Sequence, residues 1–247
     1  MNPRDRKILA SARICRKRGH GLTSIVVRDV REIILIRHGQ STANASGVWQ
    51  GQLDYPLSDE GRQQAGHAGL VLSGETFDAM YASPLSRAFE TARIVAREAN
   101  FPGDITPVEG LTERHGGMLQ GHTWAEQEAR NPEFARKFLG LPEEERWAMA
   151  GAETDEEILD RFERAISEIA TRHPVGSRIV AVSHGGVMRA FLRNRFGPEA
   201  LPGTTRAANA SITRIVWDAD GAEPRLLELA STDHLPEGRK PGATNVE

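Results

Sequence analysis

Two histidines stand in the same local setting: His38 in Leu35-Ile36-Arg37-His38-Gly39-Gln40-Ser41, and His184 in Val182-Ser183-His184-Gly185-Gly186. Each follows a run of β-branched and apolar residues and precedes glycine, the pattern of a buried strand ending in a tight turn. Turns at strand ends lie at the surface, so packing explains two such histidines poorly and a shared crevice explains them well. Neither histidine has a third metal-ligating residue at a recognisable spacing. The single cysteine, Cys15, forms neither a CxxC pair nor an internal disulfide, so the expected ligand is an anion rather than a metal. Phosphoryl transfer fits, because it needs positive charge around three equatorial oxygens and a group that attacks in line. Arg37 adjoins the first histidine. Arg87 falls in the first turns of a helix opened by Ser83-Pro84, where a guanidinium can grip phosphate bidentately. Glu113 can donate a proton to a leaving alkoxide, and Ser41 and Asn44 offer neutral hydrogen bonds in the loop after His38. Taken singly, each has a plainer role: a solvated helix arginine, a carboxylate paired with Arg114, loop residues satisfying loop backbone.

The elements that must position these groups alternate. Glu32 to Ile36 reads as the first strand, and Ser58-Asp59-Glu60-Gly61 as the capped start of a helix ending near Ser73-Gly74. Ala79 to Ala82 reads as a short strand, Ser83-Pro84 as an N-cap and first helical position, and Ile105 to Leu111 as a third strand. Residues 122–150 break the rhythm with Trp124, Phe134, Phe138, Trp147 and two prolines, and read as an inserted helical lid whose aromatics are core. Thr154-Asp155-Glu156-Glu157 is a capping box for a helix to about Arg172. Arg178 to Val182 is a central strand, and residues 211–217 and 225–229 are two final strands joined by Asp218-Ala219-Asp220-Gly221. The succession predicts a three-layer, doubly wound α/β fold: a mostly parallel sheet, helices on both faces, and both His-Gly turns opening on one crevice at the strands' carboxyl ends.

Charge divides the chain. Residues 1–31 carry nine Lys or Arg against two Asp, whereas the whole chain has a net charge of −3, so the body is acidic. An acidic body speaks against nucleic-acid binding as the main function. The expected organisation is a basic, unordered N-terminal extension over 1–30, one domain over 31–230 and a C-terminal tail over 231–247. No apolar run approaches the roughly 18–20 residues that span a bilayer, and no early stretch has a signal peptide's apolar centre; the expected location is the cytoplasm, away from membranes.

Five elements in order, Leu35 to Asn44, Asp54-Tyr55-Pro56-Leu57-Ser58-Asp59-Glu60-Gly61, Ser83 to Ala88, Glu113, and Val182 to Gly186, together resemble the histidine phosphatase superfamily, the phosphoglycerate mutase-like proteins. The resemblance covers about residues 32–218. It implies that His38 is a phosphohistidine nucleophile, that Arg37, Arg87 and His184 bind the phosphoryl group, and that Glu113 is the acid and then the base for water. It further implies substrate contacts from Ser41, Asn44, Arg114, His115 and Gly185, with no metal and no cofactor. The partner implied is a small-molecule phosphate ester, and a homodimer stays open. Glu113-Arg114-His115 resembles the mutase branch, yet Gly116 stands where those mutases carry tyrosine and Trp124 where they carry lysine. The ending from Asn209 to Trp217 resembles the phosphatase branch. The expectation is therefore a phosphate monoester hydrolase, with a phosphoglycerate mutase-type isomerase as the alternative. An inactive phospho-ligand binding protein is a further alternative, opposed by the presence of all five of Arg37, His38, Arg87, Glu113 and His184.

Overall fold

The computed structural model describes residues 30–201, 207–218 and 223–236. Six strands form one sheet in the order β3-β2-β4-β1-β5-β6. They are β1 (Val30–Arg37), β2 (Ala79–Ala82), β3 (Ile105–Pro107), β4 (Arg178–Ser183), β5 (Ile212–Asp218) and β6 (Arg225–Ser231). The first four run parallel, while β5 and β6 are antiparallel to their neighbours.

Side chains alternate across a strand, so each central strand feeds two cores. Ile33 and Leu35 of β1, Tyr81 of β2, and Ile179 and Ala181 of β4 face one layer. That layer contains Ile158, Phe162 and Ile169 of α7 (Asp155–Thr171) and Val187 and Phe191 of α8 (Gly185–Phe196). Ile34, Ile36, Met80, Ala82, Val180 and Val182 face the opposite layer, with Ala68 and Leu72 of α2 (Asp59–Leu72) and Ala88, Ala92 and Val95 of α3 (Ser86–Glu98). Fully burying each such aliphatic or aromatic side chain stabilises by about 1.5–3 kcal/mol, which is why the continuous apolar runs of β1 and β4 become the centre of the sheet.

Caps follow the expected chemistry at α2, where Ser58 accepts from Gly61 N–H, and at α7, where Thr154 and Glu157 form a reciprocal box. Two local expectations need correction. The helix after Ser83-Pro84 begins at Ser86, not Pro84, because the Ser83 hydroxyl pairs with His184 and accepts from Leu85 N–H. Asp54, from a distant loop, accepts from Ser86 N–H instead. The third strand stops at Pro107 rather than Leu111: it is an edge strand, its partner β2 ends at Ala82, and the chain turns into a 3-10 helix over Glu109–Leu111. Proline has no N–H with which to carry a ladder further.

After α1 (Thr42–Ala45), the lid comprises α4 (Trp124–Arg130), α5 (Pro132–Gly140) and α6 (Glu143–Met149). Its own small core contains Leu119, Phe134, Phe138 and Trp147. Of the expected N-terminal extension only Val30, the first residue of β1, is described; 1–29 lie outside the described residues, as do 237–247 and the turn positions 219–222. Among the described residues no helix is long and apolar enough to cross a membrane.

Candidate active site

The two histidines meet because of strand register. Arg37 of β1 is paired with Ser183 of β4, so the next residues, His38 and His184, emerge side by side, and His38 N–H donates to the Ser183 carbonyl at 2.9 Å. Their rings lie 5.0 Å apart between centroids and both are buried. The Nδ1 of His38 sits 2.6 Å from the Gly39 carbonyl oxygen. A carbonyl accepts only, so Nδ1 carries the proton and the Nε2 lone pair is left for attack. His184 Nε2 pairs with Ser83 Oγ at 2.8 Å, while its buried Nδ1 has no hydrogen-bond partner among the described residues.

Burial and the neighbouring guanidinium groups hold both imidazoles neutral. His38 is pushed well below the usual 6.5 by desolvation, then by Arg87 and Arg37; His184 is pushed well below it by desolvation, then by Arg87 and His38. Unfolded histidine takes up a proton below pH 6.5 whereas these two do not, so the folded state loses stability as pH falls through that value. The two together are expected to cost about 2.5 kcal/mol between pH 7 and pH 5.5. Urea midpoints at the two pH values test this, and His38→Gln should remove about half of the difference; an undiminished difference would assign it to other groups.

Arg87, the second residue of α3, is fully buried and fastens a loop: Nη1 donates to the Leu53 carbonyl at 2.9 Å and Nη2 to the Gly51 carbonyl at 2.7 Å. Arg37 donates through Nη1 to the Ala207 carbonyl at 2.6 Å and packs on the first turn of α8. A Cβ on Gly185 would stand 2.9 Å from the Arg37 guanidinium carbon, and one on Gly186 would stand 2.6 Å from Glu113 Oε1. Glycine at both positions is thus what lets an arginine and a carboxylate reach the same helix start.

Glu113 accepts from the backbone N–H groups of Gly186 (2.9 Å), Val187 (3.0 Å) and Arg114 (2.8 Å). Orphan amides at a helix N-terminus attract a carboxylate in this way. The loop that bears Glu113 is itself held from α7, where Arg161 donates to the carbonyls of Gly110, Thr112 and Glu113.

His38, Arg87, Glu113 and Arg114 line one cavity of about 400 Å³, with the lid forming the opposite wall. Arg37 and His184 back His38 rather than line the cavity. Ser41, Asn44, His115 and Gly185 also lie off the lining. Ser41 and Asn44 form a reciprocal capping box at α1, and Ser41 Oγ donates to Gln50 Oε1 at 2.7 Å. Asn44 Nδ2 is buried without a partner among the described residues, while its Oδ1 receives Asn209 Nδ2, which also donates to the His38 carbonyl. His115 is exposed, its Nδ1 facing Gly117 N–H. Arg114 is bound to the Glu153 carbonyl and Asp155, and its guanidinium carbon lies 4.3 Å from the Trp147 ring centre.

Sequence reasoning missed Ser83 as a partner of His184, Arg161 as the anchor of the Glu113 loop, and Arg189 of α8, which lines the cavity and is paired with Glu143 of α6 at 2.8 Å. Ser83 was legible only as a cap. Arg161 and Arg189 look like ordinary surface residues of amphipathic helices.

A strand-end histidine, its buried partner and two arginines at the head of a parallel sheet define a phosphoryl-handling class of site. Comparison with known proteins agrees. The sequence profile of the histidine phosphatase superfamily (branch 1) matches residues 33–230, and the chain belongs to that superfamily. It is similar to the metal-independent phosphoserine phosphatase of Arabidopsis thaliana, 37% identical over 167 residues, which span 67% of this chain and 69% of that one. It is also similar to phosphoglycerate mutase-like protein 4 of Arabidopsis thaliana, 39% identical over 216 residues, spanning 85% and 89% respectively. Among solved structures, mycobacterial glucosyl-3-phosphoglycerate phosphatase in complex with VO3 superposes with a TM-score of 0.65 at 26% identity, covering 82% of this chain and 100% of that one. The expected mostly parallel, helix-flanked sheet is present, and the chain is an enzyme of the phosphatase class.

Proposed function

We propose that this protein hydrolyses small phosphate monoesters by passing the phosphoryl group first to His38 and then to water. The observation that carries the reading is the fixed, neutral imidazole of His38: Nδ1 is committed to the Gly39 carbonyl, and Nε2 belongs to a ring that lines the cavity. In the first step the Nε2 lone pair attacks phosphorus, the bond from phosphorus to the ester oxygen breaks, and Glu113, when it carries a proton, gives it to the departing oxygen. In the second, Glu113 takes a proton from water as the water oxygen attacks phosphorus, and the bond from phosphorus to Nε2 breaks. Arg87, which lines the cavity beside His38, holds the equatorial oxygens, while Arg37 and His184 support the His38 ring from behind the lining.

The test is a protein-bound phosphate that forms on mixing with labelled ester, survives alkali, is lost in acid and maps to His38. Absence of such a species under rapid quench, with turnover intact, would replace the two-step route by direct attack of water.

Glu113→Gln bears on the proton's route. Its rate is expected to fall at least ten times more on an alkyl phosphate than on p-nitrophenyl phosphate, whose leaving group needs little protonation. Equal loss on both esters would take Glu113 out of the acid role.

The mutase reading has one feature in its favour, the Glu113-Arg114-His115 run. Against it, Gly116 and Trp124 both line the cavity, so neither a phenol nor an ammonium group is offered there. With 3-phosphoglycerate, with or without 2,3-bisphosphoglycerate, the expected product is free phosphate rather than 2-phosphoglycerate. Formation of 2-phosphoglycerate would make the isomerase the correct reading. Turnover is expected to survive EDTA, since no three His, Cys, Asp or Glu side chains converge among the described residues.

A further inference from the structure

The cavity has two unlike halves. The catalytic half is basic and polar; the half formed by the lid and the 49–54 loop is walled by Trp49, Trp124, Phe138, Leu139 and Trp147. Leu139 is 56% exposed at this wall, an apolar side chain left for something to cover. Trp147 is more than nine-tenths buried, yet its indole N–H has no acceptor among the described residues. A buried donor without a partner is rare and is satisfied when a ligand brings an acceptor.

Two cations of this half, Arg114 and Arg189, are already paired with carboxylates. Arg114 is fastened to Asp155 and the Glu153 carbonyl. Arg189 is gripped by both oxygens of Glu143, at 2.8 and 3.3 Å. Arg146 donates to the Leu139 and Leu141 carbonyls, at 3.1 and 2.8 Å, where its charge caps the negative end of α5. A substrate's second acidic group would compete with a carboxylate at Arg114 and at Arg189, whereas a flat apolar group would meet walls of its own character.

We infer that the lid half selects phosphate esters whose alcohol carries an uncharged, flat apolar group bearing a hydrogen-bond acceptor, in preference to esters carrying a second anion. This rests on the hydrolase reading above, and the test keeps the two apart. All probes share a primary-alcohol leaving group, so that chemistry is constant and kcat/KM reports the far end of the substrate: ethyl phosphate, 2-phenylethyl phosphate, the three 2-pyridylethyl phosphates and O-phosphoserine, at pH 8. The phenylethyl ester is expected to exceed ethyl phosphate at least tenfold, and phosphoserine to fall no higher than ethyl phosphate. The best pyridyl isomer should exceed the phenyl ester at least threefold, and Trp147→Phe should abolish that excess. Leu139→Ala, at an exposed position that spares the lid's core, should lower the ratio of phenylethyl to ethyl phosphate. Equal kcat/KM for the phenyl and ethyl esters, or preference for phosphoserine over the phenyl ester, overturns the inference with hydrolysis intact. Failure of all pyridyl isomers to exceed the phenyl ester removes the acceptor from it. No turnover of any ester, including p-nitrophenyl phosphate, overturns the hydrolase reading itself.

Discussion

The His38→Ala variant is expected to turn over phosphate esters at no more than about one thousandth of the native rate, the scale on which removal of a covalent nucleophile is felt. The substitution removes the group proposed to take the phosphoryl at the end of β1, and it leaves a cavity where a buried ring packed against His184. Stability therefore has to be followed beside rate. The imidazole is neutral, so its loss deletes no buried charge, and desolvation that the native protein bears for two histidines falls on one. His38→Ala is expected to fold, to bind inorganic phosphate through the remaining arginines, and to yield no protein-bound phosphate under rapid quench. A variant retaining a tenth of the native rate would show that water attacks the ester directly and that His38 only positions it.

Arg87→Ala should be nearly as damaging, by a different route. The side chain is fully buried and carries two duties at once: its charge stands beside both histidines, and its Nη atoms hold the carbonyls of Gly51 and Leu53. Losing one preorganised donor from charge developing in a transition state typically costs about 10²–10³ in rate. Orphaning the two carbonyls adds about 1–3 kcal/mol each in stability where they stay buried. Arg87→Lys separates these duties, because an ammonium keeps the charge but cannot span both carbonyls in the guanidinium's planar fork. The expected result is a kcat between native and Arg87→Ala, and an inhibition constant for inorganic phosphate that rises less than in Arg87→Ala. If Arg87→Lys matched native rate and stability, neither the fork nor the loop it anchors would matter.

Much of this site is readable without a fold. The central strands announce themselves as continuous apolar runs, and each is followed at once by histidine and glycine, so chemistry and position come from one stretch of chain. Capping residues mark the starts of α2 and α7 for the same reason: a serine or threonine followed three residues later by the N–H it satisfies is a local signal. The errors fall where a local rule met a distant competitor. Ser83 looks like a helix cap in its own neighbourhood, but a histidine about a hundred residues away holds its hydroxyl. The third strand reads four residues too long because apolar character continues past the point where its edge position and Pro107 end the ladder.

Ser41 and Asn44 show the same limit from the functional side. Their types suit a phosphate loop, and the structure employs them in a capping box that also ties Asn209 to the backbone of His38. His115, adjacent in sequence to two residues of the cavity wall, stays exposed outside it.

The amino-acid sequence by itself determined the alternation of strands and helices, the two strand-end histidines and the arginines and carboxylate that accompany them, because periodicity, capping and turn chemistry act over a few residues. Tertiary structure alone decided that Arg37 pairs with Ser183 and so brings His38 beside His184, that α8 begins where Glu113 needs amide donors, and that aromatic lid residues form a wall of the same cavity. Register and crossover order are set by the burial of whole faces, a sum over the chain that no local pattern carries.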